Sequence, residues 1–250
     1  MKVKWIITIS SIGVAAYILA DIFHEVVGHG GTCLIIGNKV DLMTSVYFKS
    51  NPGSFLTDIG GPIANLLFGF LIHTFLKKRK SLSLLSTLFL LNIMAYNLFW
   101  FSGTILQSGL SKAGDWTYAI KELNVGALGK PVLVIAGVIA YLLSIKIIKS
   151  HVNRVGLIFA EFPLRQSVVS SYFSAAIAAI ITGLFFKYDR THAALEGFLE
   201  MLGSLPIIFI IPGIQTKVNN YELRASPIVT VSVFILFITF CFTLGRGISL

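Results

Sequence analysis

The residues best suited to chemistry lie in one stretch of the chain, DIFHEVVGHG at positions 21–30. It holds two histidines and two carboxylates, Asp21, His24, Glu25 and His29. Neutral imidazoles are good zinc ligands, and a glutamate next to one of them can act as general base on a water molecule. The stretch therefore predicts a metal site with Zn²⁺ as the cofactor. His24 and His29 would bind the metal, and Glu25 would be the catalytic base.

The spacing of the two histidines imposes a condition on the helix that carries them. Each residue of an ideal helix advances about 100°, so side chains five positions apart point roughly 140° away from each other. A π-bulge takes in one extra residue and brings position i+5 nearly to where i+4 would lie. Gly28 makes such a distortion sterically easy. We therefore expect a bulge around residues 26–28 that turns His24 and His29 onto one face.

The composition indicates that these residues lie within a membrane protein. Of the 250 residues, 55% are hydrophobic and 12% are charged, whereas soluble domains average about 25% charged residues. We predict an all-α integral membrane protein, a polytopic bundle of about six transmembrane helices with seven as the alternative. Residues 1–250 are expected to form one domain. Titratable groups inside such spans are costly and generally mark function.

Six spans are expected, near residues 5–34, 55–76, 82–104, 131–149, 166–187 and 225–244. Residues 201–216 are left open as a broken span, a re-entrant segment or an interfacial helix, because Pro206 and Pro212 interrupt them. A short extended segment is expected between the first two helices, where residues 40–48 are rich in β-formers. The basic cluster at 77–80 predicts the cytoplasmic side, and six spans would put both termini there.

The net charge of +9 is spread over short loops. This distribution is typical of membrane anchoring and gives no reason to expect nucleic-acid binding. The expected partners are the lipid bilayer and a membrane protein or peptide substrate. We expect a multi-pass protein of the cell membrane.

Two stretches together resemble the site-2 protease family of membrane-embedded zinc metalloproteases. They are HEVVGHG at 24–30 and GGPIANLLFGF at 60–70. That family carries H-E-x-x-H in an early span, glycine-proline-x-x-asparagine in the next, and an aspartate in a Leu-Asp-Gly context on a later one. The resemblance covers roughly residues 5–120, a three-helix core, and leaves 125–250 as additional helices. Asn65 would then face the site and position substrate, with helix packing as its alternative role.

The chain departs from the pattern of that family in two places. The first motif contains an extra residue, and this H-E-x-x-x-H form is similar to the helix motif of dipeptidyl peptidase III, a soluble zinc peptidase. The sequence has no Leu-Asp-Gly. Asp115, in SKAGDWTYA, is therefore the expected third metal ligand, although it could be an ordinary loop aspartate near Lys112. Asp58 is its main rival, and a helix-capping role is expected for Asp58.

The resemblance implies an intramembrane zinc-dependent endopeptidase that cleaves transmembrane or membrane-proximal peptide segments. The extra residue and the missing Leu-Asp-Gly leave an alternative of another class open. The chain would then be a non-proteolytic membrane protein, either a metal carrier or a degenerate family member that binds a partner helix. An intact Glu25 argues against this alternative, because a pure binder has no evident need for a general base.

A second group of titratable residues recurs at helical spacing near the end of the chain. His192, Glu196 and Glu200 stand at positions i, i+4 and i+8 and share one helical face. That spacing could bind a metal. We interpret the three residues as the polar face of an interfacial helix.

Overall fold

Seven helical segments of the described chain are long and apolar enough to cross a membrane. The computed structural model describes residues 3–79, 81–159, 162–211 and 225–249. The seven segments are Trp5–Ile35, Phe55–Lys78, Leu84–Leu110, Gly126–Ile158, Leu164–Leu184, Arg190–Ile210 and Pro227–Gly245. The predicted all-α, multi-pass membrane fold is confirmed. The number of candidate segments agrees with the alternative of seven spans instead of the favoured six.

The first span consists of three consecutive pieces that form one continuous helix. They are α1 (Val3–Asp21), a π-helix (Ile22–Gly30) and α2 (Gly31–Ile35). The later helices are α3 (Phe55–Lys78), α4 (Leu84–Leu110), α5 (Asp115–Glu122), α6 (Gly129–Ile158), α7 (Leu164–Leu184), α8 (Arg190–Gly203), α9 (Ile207–Ile210) and α10 (Pro227–Phe240). The helix α4 lies at the centre of the bundle, and its residues Leu91, Met94 and Phe99 are fully buried.

The span missing from the first-choice prediction is the one formed by α8 and α9. Charged residues in its first half, among them Glu196 and Glu200, hid its apolar character in the sequence. Pro206 then divides it, and α9 begins at the next residue. As far as residue 210, the stretch 201–216 therefore belongs to the second half of a candidate span that Pro206 interrupts, in agreement with the alternative of a broken span. Residues 212–216 of that stretch lie outside the described residues.

A β-hairpin separates the first two spans, in the region where a short extended segment was expected. Strand β1 (Lys39–Met43) pairs antiparallel with β2 (Phe48–Asn51). Met43 also exchanges two backbone hydrogen bonds of 2.9 Å with Ile248, which follows the last helix. Ile248 thus lies at the same end of the bundle as the hairpin. Trp5 lies at the opposite end. The two ends of the described chain therefore lie at opposite ends of the bundle, as an odd number of candidate spans requires, whereas the expectation of both termini on one side assumed six spans.

Candidate metal centre

The π-helix Ile22–Gly30 contains the bulge that the spacing of the histidines required. The backbone N–H of Gly31 donates to the carbonyl of Val26, five residues earlier, which is the bond that defines a π-turn. Asp21, Gly30 and Gly31 all keep helical backbone angles, so the helix passes through the bulge without breaking. The predicted bulge is confirmed, and it extends over nine residues.

This bulge brings the two predicted histidine ligands together. The Nε2 atoms of His24 and His29 lie 3.1 Å apart. The carboxylate of Asp115 faces both, with Oδ2 at 3.5 Å from His24 Nε2 and Oδ1 at 3.8 Å from His29 Nε2. Ligand atoms around a tetrahedral zinc lie about 3.3 Å apart when each is about 2.0–2.1 Å from the metal. The three groups therefore match the dimensions of one metal site.

The hydrogen bond of His29 selects the tautomer that metal binding requires. Its Nδ1–H donates to the backbone carbonyl of Thr57 over 2.7 Å. Because a carbonyl oxygen only accepts, the proton lies on Nδ1 and the lone pair of Nε2 is free. The ring of Phe48, from the hairpin, also stacks on His29 at 5.3 Å between centroids. His29 is thus held in one orientation from two sides.

Three glycines allow the first span and α3 to touch backbone to backbone at this point. A Cβ atom on Gly28 would lie 2.5 Å from Gly61 Cα, and one on Gly60 would lie 2.6 Å from the Gly28 carbonyl oxygen. A Cβ on Gly61 would lie 2.3 Å from His29 Nε2 and 2.8 Å from His24 Nε2. The glycines ahead of Pro62 therefore have a steric role, since only a residue without a side chain leaves room for the two imidazoles.

Asp115 reaches the histidines because it begins the short helix α5. Gly114 has φ 121° and turns the chain into that helix, and Thr117 Oγ1 donates to the Ser108 carbonyl over 2.9 Å. Burial by itself would raise the pKa of Asp115. The hydrogen bond with His24 and the neighbouring His29 outweigh burial and hold that pKa below its ordinary value. The carboxylate therefore stays ionised, as a metal ligand must be.

Asp58, the rival of Asp115, is placed differently. Among the described ion pairs, which extend to 4.0 Å, the imidazoles of His24 and His29 are paired with Asp115 and not with Asp58. Asp58 lies in the first turn of α3, and Ser54 is the residue that caps this helix, by accepting the N–H of Leu56. The expected capping role of Asp58 was therefore wrong, although its position in the first turn still suits the helix dipole.

Glu25 and Asn65 are also at the centre. Glu25 is 4% exposed, and one of its carboxylate oxygens lies within 4.8 Å of the ligand atoms of both histidines. Asn65 is fully buried and its amide approaches the His24 ring. Neither the amide atoms of Asn65 nor Glu25 Oε2 make a hydrogen bond to any described residue. Both side chains thus keep hydrogen-bonding capacity next to the histidines.

A cavity of about 390 Å³ opens beside the histidines. The hairpin turn at Ser45 and Val46, Trp100 of α4 and Glu200 of α8 form part of its wall. Glu200 was interpreted from the sequence as part of the polar face of an interfacial helix, whereas its helix belongs to a span and its side chain lines this cavity. The only signal in the sequence was its spacing from Glu196.

The rest of that polar face lies outside the cavity. His192 Nε2 and Glu196 Oε1 are 3.6 Å apart, and the side chain of His192 is 55% exposed. Neither residue is among those that line the cavity. Of the described residues, His24, Glu25 and His29 are the group found close enough to hold a metal ion, so metal binding by His192, Glu196 and Glu200 is not supported.

Tyr47 holds the hairpin against α8 above this cavity. Its hydroxyl is hydrogen-bonded to Nδ1 of His192, and its ring centroid lies 5.5 Å from that of Phe186. Burial, followed by the charges of Glu196 and Asp189, raises the pKa of Tyr47 to about 12. The hydroxyl consequently remains protonated and able to donate at neutral pH.

Replacing Tyr47 by phenylalanine is expected to loosen the hairpin and to leave the candidate metal centre intact. Loss of one hydrogen bond, worth about 1 kcal/mol, should speed amide hydrogen exchange of residues 44–48 about fivefold. Exchange measured by mass spectrometry on the protein in detergent would check this. Tyr118→Phe is the matched control, since Tyr118 is 50% exposed and belongs to α5 instead of the hairpin. Equal exchange in wild type and Tyr47→Phe would contradict the anchoring role.

Comparison of the chain with protein-family models, with curated proteins and with solved structures found no match. The class of protein therefore follows from the fold and the site alone. The described chain is a helical membrane protein with seven candidate spans. Its first span carries a buried His-Glu-His group that could hold a metal ion.

Proposed function

We propose that this protein is a zinc-dependent peptide hydrolase that acts within the membrane, a metalloprotease similar in its centre to site-2 proteases. One observation carries the proposal. π-Turns are rare in proteins overall, but those that occur are frequently at functional sites. Here a π-turn orients two imidazoles toward the same point. Their Nε2 atoms are 3.1 Å apart, Asp115 faces them, and the carboxylate of Glu25 lies beside them.

The donor set suits zinc, because two neutral imidazoles and one carboxylate leave a fourth position open for water or substrate. Bound zinc would supply an activated water and would polarise the scissile carbonyl. Glu25 takes the proton from the attacking water and returns it to the nitrogen of the leaving amine. The contact of Gly28 with Gly61 and the bond of His29 to Thr57 keep the imidazoles in place during these transfers. His24, His29 and Asp115 are the proposed ligands.

The substrate proposed for this centre is a transmembrane or membrane-proximal peptide segment. The centre lies in the first span, and Glu25 and His29 are each 4% exposed. A peptide must therefore enter the cavity between the helices and the hairpin to reach it. Helical hydrogen bonds would shield the scissile bond, so the segment has to be extended where it is cut.

Metal analysis combined with a cleavage assay tests the proposal. We expect purified wild-type protein to contain about one zinc ion per chain, and His24→Ala/His29→Ala to contain almost none. Glu25→Gln should retain zinc and lose about a thousandfold in turnover of a quenched-fluorescent peptide, since general base catalysis contributes about 10²–10⁴-fold. Glu122→Gln, which changes an exposed glutamate of α5, is the matched control.

Two outcomes would count against the proposal in different ways. Equally low zinc in the wild type and the double histidine variant would refute the metal centre. Zinc in the wild type with turnover that Glu25→Gln leaves unchanged would refute the hydrolase. The second outcome would favour the non-proteolytic metal carrier.

A further inference from the structure

The cavity beside the proposed metal centre holds more carboxyl groups than the proposed hydrolysis uses. Five carboxylates line it, those of Asp21, Glu25, Asp58, Asp115 and Glu200. No lysine or arginine is among the described residues that line it. Carboxylates removed from water are costly unless a cation or hydrogen-bond donors compensate them. A metal ion bound at the centre would compensate Asp115 and Glu25. Asp21, Asp58 and Glu200 would remain without a compensating cation.

Two of the unused carboxyl groups, those of Asp58 and Glu200, are partly exposed, and Glu200 is the one with an unpartnered oxygen. Its side chain lines the cavity and is partly exposed there, and its Oε2 makes no hydrogen bond to a described residue. Asp21 also lines the cavity, but it is fully buried, and neither of its carboxylate oxygens has a described partner. The nearest imidazole on α8, His192, is paired with Glu196 instead. A cation that enters the cavity would thus meet the partly exposed side chain of Glu200.

A second, independent feature of the cavity indicates an acceptor on the same ligand. Trp100 lines the cavity and is 5% exposed, and its indole Nε1–H makes no hydrogen bond to a described residue. Buried indole N–H groups normally find an acceptor, and a peptide carbonyl is one. The ring of Trp100 packs edge-on against His24 at 6.2 Å between centroids. The ring that carries this donor is therefore next to one of the proposed metal ligands.

We propose that this part of the cavity is a specificity subsite for a lysine or arginine side chain of the peptide substrate. Glu200 accepts hydrogen bonds from the cationic group, and Trp100 donates to a backbone carbonyl of the same peptide. The cavity volume of about 390 Å³ is small, near the lower end of the range of about 300–1,000 Å³ for ligand sites. The basic residue must therefore lie close to the scissile bond. This inference rests on the proposed function, because the metal centre defines which bond is cut.

A matched set of quenched-fluorescent peptides tests the subsite. The peptides are identical except at one position near the centre, which holds lysine, norleucine or glutamate. We expect kcat/KM of the zinc-loaded wild type to be at least about tenfold higher for lysine than for norleucine, and lowest for glutamate. Glu200→Gln should reduce the lysine-to-norleucine ratio to below about threefold. Glu196→Gln, one turn earlier and outside the cavity, should keep the wild-type ratio.

Equilibrium binding of the same peptides to zinc-free protein, followed by fluorescence anisotropy, provides a second readout. The preference for lysine and its loss in Glu200→Gln should persist there, since neither requires hydrolysis. Glu200→Met removes the charge without placing an amide in the interior, and the same result is expected for it. Thermal unfolding of each variant confirms that it is folded.

The two proposals fail in distinguishable ways. If no peptide is cleaved but lysine is preferred in binding and Glu200→Gln removes that preference, hydrolysis fails and the cationic subsite stands. If peptides are cleaved with a wild-type ratio near one, the subsite is overturned and hydrolysis stands. A lysine preference that both Glu200 variants retain also overturns the subsite.

Discussion

Replacing Gly61 by alanine is expected to weaken zinc binding strongly while the helical bundle stays intact. The added Cβ would lie 2.3 Å from His29 Nε2 and 2.8 Å from His24 Nε2. Both atoms are at the ends of side chains, so the imidazoles can turn away without moving the backbone. Alanine also favours the helix more than glycine does. The variant should therefore fold, and its zinc affinity should fall at least about 100-fold.

Competition with a chelator of known affinity measures this loss, and thermal unfolding in detergent reports on the bundle. Gly69→Ala is the matched control in the same helix. Its Cβ would meet the end of the Leu98 side chain at 2.7 Å, away from the histidines. We expect that control to be somewhat less stable and to bind zinc as the wild type does. Wild-type zinc affinity in Gly61→Ala would show that the imidazoles do not converge beside Gly61.

The second large effect is expected at the third ligand. Asp115→Ala should weaken zinc binding at least about 100-fold, because one of the three proposed protein ligands is removed. Asp58→Ala removes an equivalent carboxylate from the same cavity, but one outside the 4.0 Å range of the imidazoles. It should change zinc affinity by less than about threefold. Titration of zinc into the two metal-free variants makes the comparison, and the reverse order of affinities would assign the third ligand to Asp58.

The π-turn could be predicted from the sequence because the constraint is local. Two ligands five positions apart admit one simple helical solution, and Gly28 was available to relieve strain at that point. The choice between Asp115 and Asp58 was harder, since both aspartates flank predicted spans and have apolar neighbours. What separates them is the path of the chain through Gly114 into α5, a matter of tertiary structure that no local pattern encodes. That Asp115 binds the metal remains a prediction.

The features that the sequence did not reveal depend on residues from distant helices. Glu200 belongs to the cavity only because α8 packs where the hairpin turn and α4 also meet. The span that contains it was missed for a related reason. Carboxylates in a helix argue against a membrane span if they are assumed to face lipid. Glu200 is nevertheless compatible with a span, because its side chain lines a cavity inside the protein. Hydropathy alone cannot distinguish these two surroundings.

The order of the site residues along the chain has a consequence for biosynthesis. All three proposed metal ligands precede residue 116, whereas Glu200 belongs to the sixth of the seven candidate spans. During synthesis, the complete ligand set is therefore made well before the wall that carries Glu200. An early intermediate of membrane insertion would have the means to bind metal but not to select a substrate, so selectivity would arise only when α8 joins the bundle.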